Sequence, residues 1–200
     1  MARPKRKCAF CHREATSGEH LWDDWINEEL PKKTRFDASK RLPGEEKPVK
    51  FVKVGLREKL PVVCADCNNG WMCALTGKVK NSFSQSILNA TPFSLNPSDA
   101  DLLAEFTFMK AIVSDYCYGD EPFFTGDIRK KLRVSLNIPP LVRMWIAAYQ
   151  GRPQYSFINN FYRISVDSPG PFCGMEFFCY TYVTGNLAVQ LLDPWLEGYK

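Results

Sequence analysis

Histidine is scarce in this chain, with two among 200 residues, so imidazole chemistry has few places to reside. No apolar run reaches the roughly 18–20 residues that a membrane helix requires, and a membrane-spanning role is not expected. The first residues, MARPKRKC, are basic and lead into no apolar h-region, which argues against a secretory signal and points to a cytoplasmic protein. There is no internal repeat and no low-complexity tract. Charged residues make up 24% and apolar residues 45%, a balance that excludes global disorder and supports a sizeable core.

What the chain does have is eight cysteines. In a reducing compartment these read as metal ligands or buried thiols rather than disulfides. The net charge of +4 is small but uneven: residues 1–80 hold 17 Lys and Arg against 11 Asp and Glu, and residues 81–200 hold 9 against 11. A basic first part favours a polyanionic partner such as nucleic acid, although an excess of this size also fits an ordinary solvated surface.

Three parts follow from composition. Residues 1–85 carry both CxxC pairs and most of the positive charge, 86–97 are rich in Asn, Ser and Pro and read as a linker, and 98–200 are more apolar and aromatic. Periodicity predicts a short helix over 20–30 closed by Pro31, strands over 47–56 and 59–64, and a helix over 67–88 weakened by Gly70 and Gly77. The strongest helical pattern spans 98–117, with Ser98 as N-cap and Asp99 and Asp101 in the first turn. A further helix is expected over 125–136. Strands are expected over 154–166 and 175–192, the latter folded back at Thr184-Gly185-Asn186. The fold class is α+β: a zinc-stapled N-terminal domain followed by a C-terminal domain of helices packed on a small antiparallel sheet.

Cys8-Ala-Phe-Cys11 and Cys64-Ala-Asp-Cys67 form a pair of knuckles. A CxxC turn brings two thiolates to one side, where each reaches a metal at about 2.3 Å, and two such turns complete the tetrahedral S4 shell of structural Zn²⁺. The metal ligands are therefore Cys8, Cys11, Cys64 and Cys67. The remaining cysteines, Cys73, Cys117, Cys173 and Cys179, lie among apolar residues and read as core, with a swapped-ligand role for Cys73, close to the second knuckle, as the lesser alternative. The long stretch between the knuckles suits a finger that carries a working segment. Within it stands Glu19-His20, and Asn68-Asn69 follows the second knuckle directly. With both knuckles on one ion, these residues can approach each other. Their oxygens suit Mg²⁺ or Mn²⁺, and a neutral imidazole can take a proton from water near pH 7. His12, beside Arg13, reads as an exposed knuckle residue.

The order CxxC, Glu-His, CxxCNNGWM resembles zinc-bearing HNH endonucleases of the ββα-metal fold, a treble-clef-like arrangement. It is most similar to a bacterial and phage branch with EHxxPxW and CxxCNxGWM segments. The resemblance covers about residues 8–80. It implies a DNA-cutting, metal-dependent hydrolase in which the acidic–His dipeptide ends the first strand of a hairpin. His20 would be the general base and Glu19 a ligand of a catalytic Mg²⁺ or Mn²⁺. Asn68, with Asn69 as fallback, would stand where relatives place a histidine ligand, and Trp25 and Trp71 would be packing residues. Asp23 stands where the branch has proline. It and Adjacent Asp24 read as solvated helix charges, with an extra ligand role as the alternative. The Asn that usually precedes the second knuckle is missing from Arg57-Glu-Lys-Leu-Pro61. Two further functions fit the same residues. One is a catalytically degenerate nucleic-acid-binding module contacting phosphates through Lys5, Arg6, Lys7, Lys50, Lys53 and Arg57. The other is a factor that binds a host or partner protein through an aromatic tail, with Phe123, Phe124, Phe161 and Tyr162 as candidates, although these aromatics read first as core. Residues 98–200 leave substrate recognition, dimerisation and partner binding open.

Overall fold

A computed structural model describes residues 6–40, 46–117, 122–164 and 175–195, without the side chains of 40, 159–164, 175, 176 and 195. In chain order the elements are β1 (Ser17–His20), α1 (Asp24–Glu29), β2 (Arg35–Lys40), β3 (Val49–Val54), β4 (Lys59–Val63), α2 (Ala65–Cys67), α3 (Cys73–Asn89), α4 (Pro97–Asp115), α5 (Gly126–Ser135), β5 (Arg143–Ala148), β6 (Gln154–Ile164), β7 (Met175–Gly185) and β8 (Leu187–Trp195). The fold is α+β.

β1 and β4 form an antiparallel ribbon with Ser17 opposite Val63, Glu19 opposite Leu60 and His20 opposite Lys59. The helix expected over 20–30 is shorter, because His20 closes β1 and the helical turn begins only at Asp24. Between the two strands the chain makes a second ribbon, β2 on β3, which leaves Val49, Phe51, Val52 and Val54 exposed. After β4, α2 runs through a π-helical turn at Asn68–Met72 into α3, and the irregularity sits at Gly70 (φ −94°, ψ −111°), one of the two glycines that weaken the helical pattern.

The expected linker is partly helical: α3 continues to Asn89 before an extended stretch leads to α4. α4 is capped by Asn96, whose side chain accepts the Asp99 N–H, with Pro97 in the first turn. This displaces the cap expected at Ser98, since proline at the first helical position is pre-set for the helix and lacks an N–H to satisfy. From Leu103 onward α4 is buried on nearly all sides, as expected of a helix that is apolar around most of its circumference. Over it lies the antiparallel sheet β5-β8-β7-β6, which turns Phe178, Tyr180, Tyr182, Leu187, Val189 and Leu191 inward. Phe124 packs edge-on against Phe108 and Phe178, and Phe123 stacks on Phe178, so both phenylalanines belong to the core and not to a partner surface. The side chains of Phe161 and Tyr162, and the whole of Cys173, lie outside the described residues. One apolar cluster runs from the first knuckle through α3 and α4 to β8, joining residues 1–85 to 98–200. Among the described residues, no helix is long and apolar enough to cross a membrane.

The β7–β8 hairpin is tied to the end of α3. The last carbonyls of a helix lack intrahelical partners, and Ile87 O accepts from both the Asn186 backbone N–H (2.9 Å) and its side-chain amide (3.0 Å). Gly185, at φ +60°, leaves only enough room for this contact: a Cβ there would lie 2.1 Å from Ile87 O. Gly185→Ala is therefore expected to lower stability by about 2 kcal/mol or more. In urea denaturation this reads as a lower midpoint with an unchanged slope, and an unshifted midpoint would contradict the docking described.

Candidate functional site

The two knuckles meet because the first is bonded onto the strand that ends in the second. Cys8 N–H closes its turn on Arg13 O (2.8 Å), and Ala9 N–H donates to Val62 O in β4 (2.7 Å). Two residues beyond Val62, Cys64 caps α2 and its sulfur accepts the Cys67 N–H at 3.5 Å. The sulfurs of Cys8, Cys11, Cys64 and Cys67 all lie within 4.8 Å of one another, with Cys11–Cys64 at 3.6 Å and Cys11–Cys67 at 3.9 Å. A disulfide needs about 2.05 Å. Four sulfurs each about 2.3 Å from a central ion stand about 3.8 Å apart, so the spacing fits tetrahedral Zn²⁺. These four thiolates would hold it as a structural ion with no open position.

The surroundings act on the thiols in opposite senses. Burial pushes the Cys8 thiol up, and burial together with the Cys8 charge raises Cys67 further. At Cys64 burial acts in the same sense but is outweighed by the Cys67 N–H and the neighbouring thiols, and the thiol is lowered. Phe10 meets Trp71 edge-on at 5.0 Å, and Arg13 pairs with Asp66 across the knuckles. The Trp71 indole N–H makes no hydrogen bond of proper geometry, yet it stands where it favours a Cys67 thiolate. Cys73 is exposed on α3, contrary to the expected core position, because it is turned about 100° around the helix from buried Met72. Cys117 and Cys179 are half-buried.

Glu19 and His20 sit on opposite faces of β1, as adjacent strand residues do. His20 is half-buried. Its Nε2 lies 3.6 Å from Asp24 Oδ1, and exposed Lys59 stands across from it in register. Burial, reinforced by Lys59, lowers His20 below its usual 6.5, so the ring is neutral at pH 7. Asn68 donates its side-chain amide to Ser17 Oγ (2.8 Å) and Gly18 O (3.2 Å), which clamps the helix after the second knuckle onto β1. Asn69 is exposed. His12 is exposed too.

Glu19 is buried and belongs to a different group. Lys110, from the middle of α4, is 2% exposed. Its ammonium lies 2.7 Å from Glu19 Oε1, 2.7 Å from Asp23 Oδ1 and 2.8 Å from His20 O, with the Phe106 ring 5.5 Å away. Burial works against the charge on Lys110, but the two carboxylates overcome it and hold the lysine well above its usual range. Burial raises Asp23 despite the same lysine. Asp23 is thus no solvated helix charge: it lies just before α1 and points inward, whereas Asp24 is exposed. Lys110 escaped the sequence reading, although a lone basic residue in the otherwise apolar run Phe108–Val113 is the kind of signal that marks a buried pair. Of the residues expected to contact phosphate, Lys50 and Arg57 are exposed, and Lys5 lies outside the described residues. Lys53 is engaged with Glu58 (2.8 Å) and the Trp22 ring.

Apart from the four cysteines, the described residues contain no comparable gathering of three or more His, Cys, Asp or Glu ligand atoms. No protein-family model, curated protein or solved structure matches this chain at a significant level.

Elemental analysis of the purified chain is expected to find one zinc per molecule, held by the four thiolates. Structural zinc contributes about 10–16 kcal/mol of apparent binding energy in small zinc domains. Cys64→Ser, or removal of zinc by a strong chelator, should therefore abolish cooperative unfolding of the N-terminal part. An unchanged melting curve after complete removal of zinc would rule out a structural ion here.

Proposed function

We propose that this chain hydrolyses phosphodiester bonds of nucleic acid, DNA foremost, with His20 as general base. The observation that carries the reading is a half-buried imidazole at the end of β1, opposite exposed Lys59 and 3.6 Å from Asp24, its pKa held below the usual histidine range by burial and Lys59. The order of elements supports it: a knuckle, a strand ending in Glu19-His20, its antiparallel partner, a second knuckle and a helix.

The chemistry asked of these residues is limited and balanced. Neutral His20 takes a proton from water as the oxygen attacks phosphorus. The ester oxygen leaves with a proton from solvent, and the imidazolium then returns its own. Asp24 favours the imidazolium as it forms, and the Lys59 ammonium draws the phosphate in and offsets its growing charge. A divalent ion on Glu19 does not fit these residues, because that carboxylate is directed inward onto Lys110, and no step is routed through one. Asn68 acts by clamping β1 to the helix, and Asn69 is free to approach substrate.

The withdrawal of Glu19 favours a second reading, a zinc-stapled module that binds nucleic acid without cutting it. The β2–β3 ribbon, with Lys50 exposed and Arg57 following it, has the form of a strand pair that can enter a DNA groove.

One experiment separates the two. Zinc-loaded wild type should nick supercoiled plasmid, and His20→Ala should nick about 100-fold more slowly or worse while its affinity for DNA stays the same and falls steeply with salt. Equal rates for the two proteins would refute the hydrolase, and salt-sensitive binding would then leave the module. Equal rates together with affinity indifferent to salt would refute both.

A further inference from the structure

We propose that the ammonium of Lys110 is this chain's built-in replacement for a divalent cation at the Glu19 carboxylate, so that Glu19 binds no metal in the wild-type protein. The inference does not depend on His20 being catalytic.

An ammonium has three N–H donors and no acceptor. Lys110 spends them on three oxygens, Glu19 Oε1, Asp23 Oδ1 and His20 O, at 2.7, 2.7 and 2.8 Å. Two carboxylates and a backbone carbonyl are the hard oxygen donors that Mg²⁺ and Mn²⁺ take from proteins. Here a cation already lies among them, delivered on a side chain from α4, 91 residues from Glu19 in sequence. The group is closed to solvent: Glu19 is 6%, Asp23 4% and Lys110 2% exposed, and Phe106 covers the ammonium. A divalent ion could reach Glu19 only by displacing a buried, fully bonded lysine or by forcing like charges together.

Two functional consequences follow. The end of β1 is ordered without Mg²⁺ or Mn²⁺, since the same ammonium bonds the backbone carbonyl of His20. Lys110 also ties the backbone at His20 to α4.

The test is carried out with the full, zinc-loaded chain and Mn²⁺ as probe. Wild type should bind no Mn²⁺ that is lost on Glu19→Gln, as followed by electron paramagnetic resonance, and its melting temperature should not respond to millimolar Mn²⁺. Lys110→Ala removes the tethered cation and leaves its oxygens behind, so this variant should be strongly destabilised and then rescued by Mn²⁺. At a hundredfold excess over Kd, the rise in melting temperature is about 5–10 °C. The double variant Lys110→Ala, Glu19→Gln should lose that rescue. Glu19-dependent Mn²⁺ binding by wild type overturns the proposal. So does a Lys110→Ala chain, folded or unfolded, that gains nothing from Mn²⁺.

Discussion

Four sulfurs held within 4.8 Å of one another cannot all be thiolates unless a cation stands among them. Close like charges in a buried place either take up protons or find a counter-charge. A divalent ion among them would convert the repulsion into a clasp for the N-terminal part. The cluster makes neighbours of Cys11 and Cys64, 53 residues apart. The chain between them is held at both ends, and β1 is laid along β4. The entropy of closing so long a loop grows only slowly with its length, so a single clasp can accommodate the whole β2–β3 insertion without a matching loss of stability.

The same constraint governs the interior. Glu19 and Asp23 are buried carboxylates, and each would be costly to leave unpaired, since breaking a buried ion pair costs about 3–5 kcal/mol. Their counter-charge arrives on α4. Lys110 therefore does for the two halves of the chain what the four-cysteine cluster does for the two knuckles: it ties together segments far apart in sequence. The Tyr182 hydroxyl, 3.4 Å from Leu21 O, and the shared apolar cluster reinforce a contact that electrostatics has already required. This accounts for a helix as apolar as α4 retaining a charged residue in its middle.

How much of this could be read beforehand follows from the range of the interactions involved. The knuckles were legible because CxxC spacing is a local geometric requirement. So was α4, whose pattern runs through many residues, and so was the β7–β8 reversal at Gly185. β2 and β5 were not foreseen. Their sequences, RFDASK and RMWIAA, have weak strand preference, and they are strands because β3 and β8 offer them hydrogen-bonding edges. The inward turn of Asp23 was equally hidden, since an acidic residue ahead of a short helix is ordinarily solvated. Only its partner, far along the chain, makes its burial affordable in free energy.

The Glu19-His20 dipeptide shows the limit most clearly. Taken as letters, an acid beside a histidine suggests two groups serving one ion. In an extended strand, neighbouring side chains leave from opposite faces, and here the two faces differ in kind. One is dry and closed by Lys110 and Phe106. The other is partly wet, with Lys59 and Asp24 beside the imidazole. Convergence of both side chains on a single point would require the strand to break its alternation at that step, and the register Glu19 to Leu60, His20 to Lys59 shows no such break. The dipeptide is better understood as two side chains set back to back: Glu19 anchors the strand from within through Lys110, and the His20 ring lies half-buried on the opposite face beside Asp24.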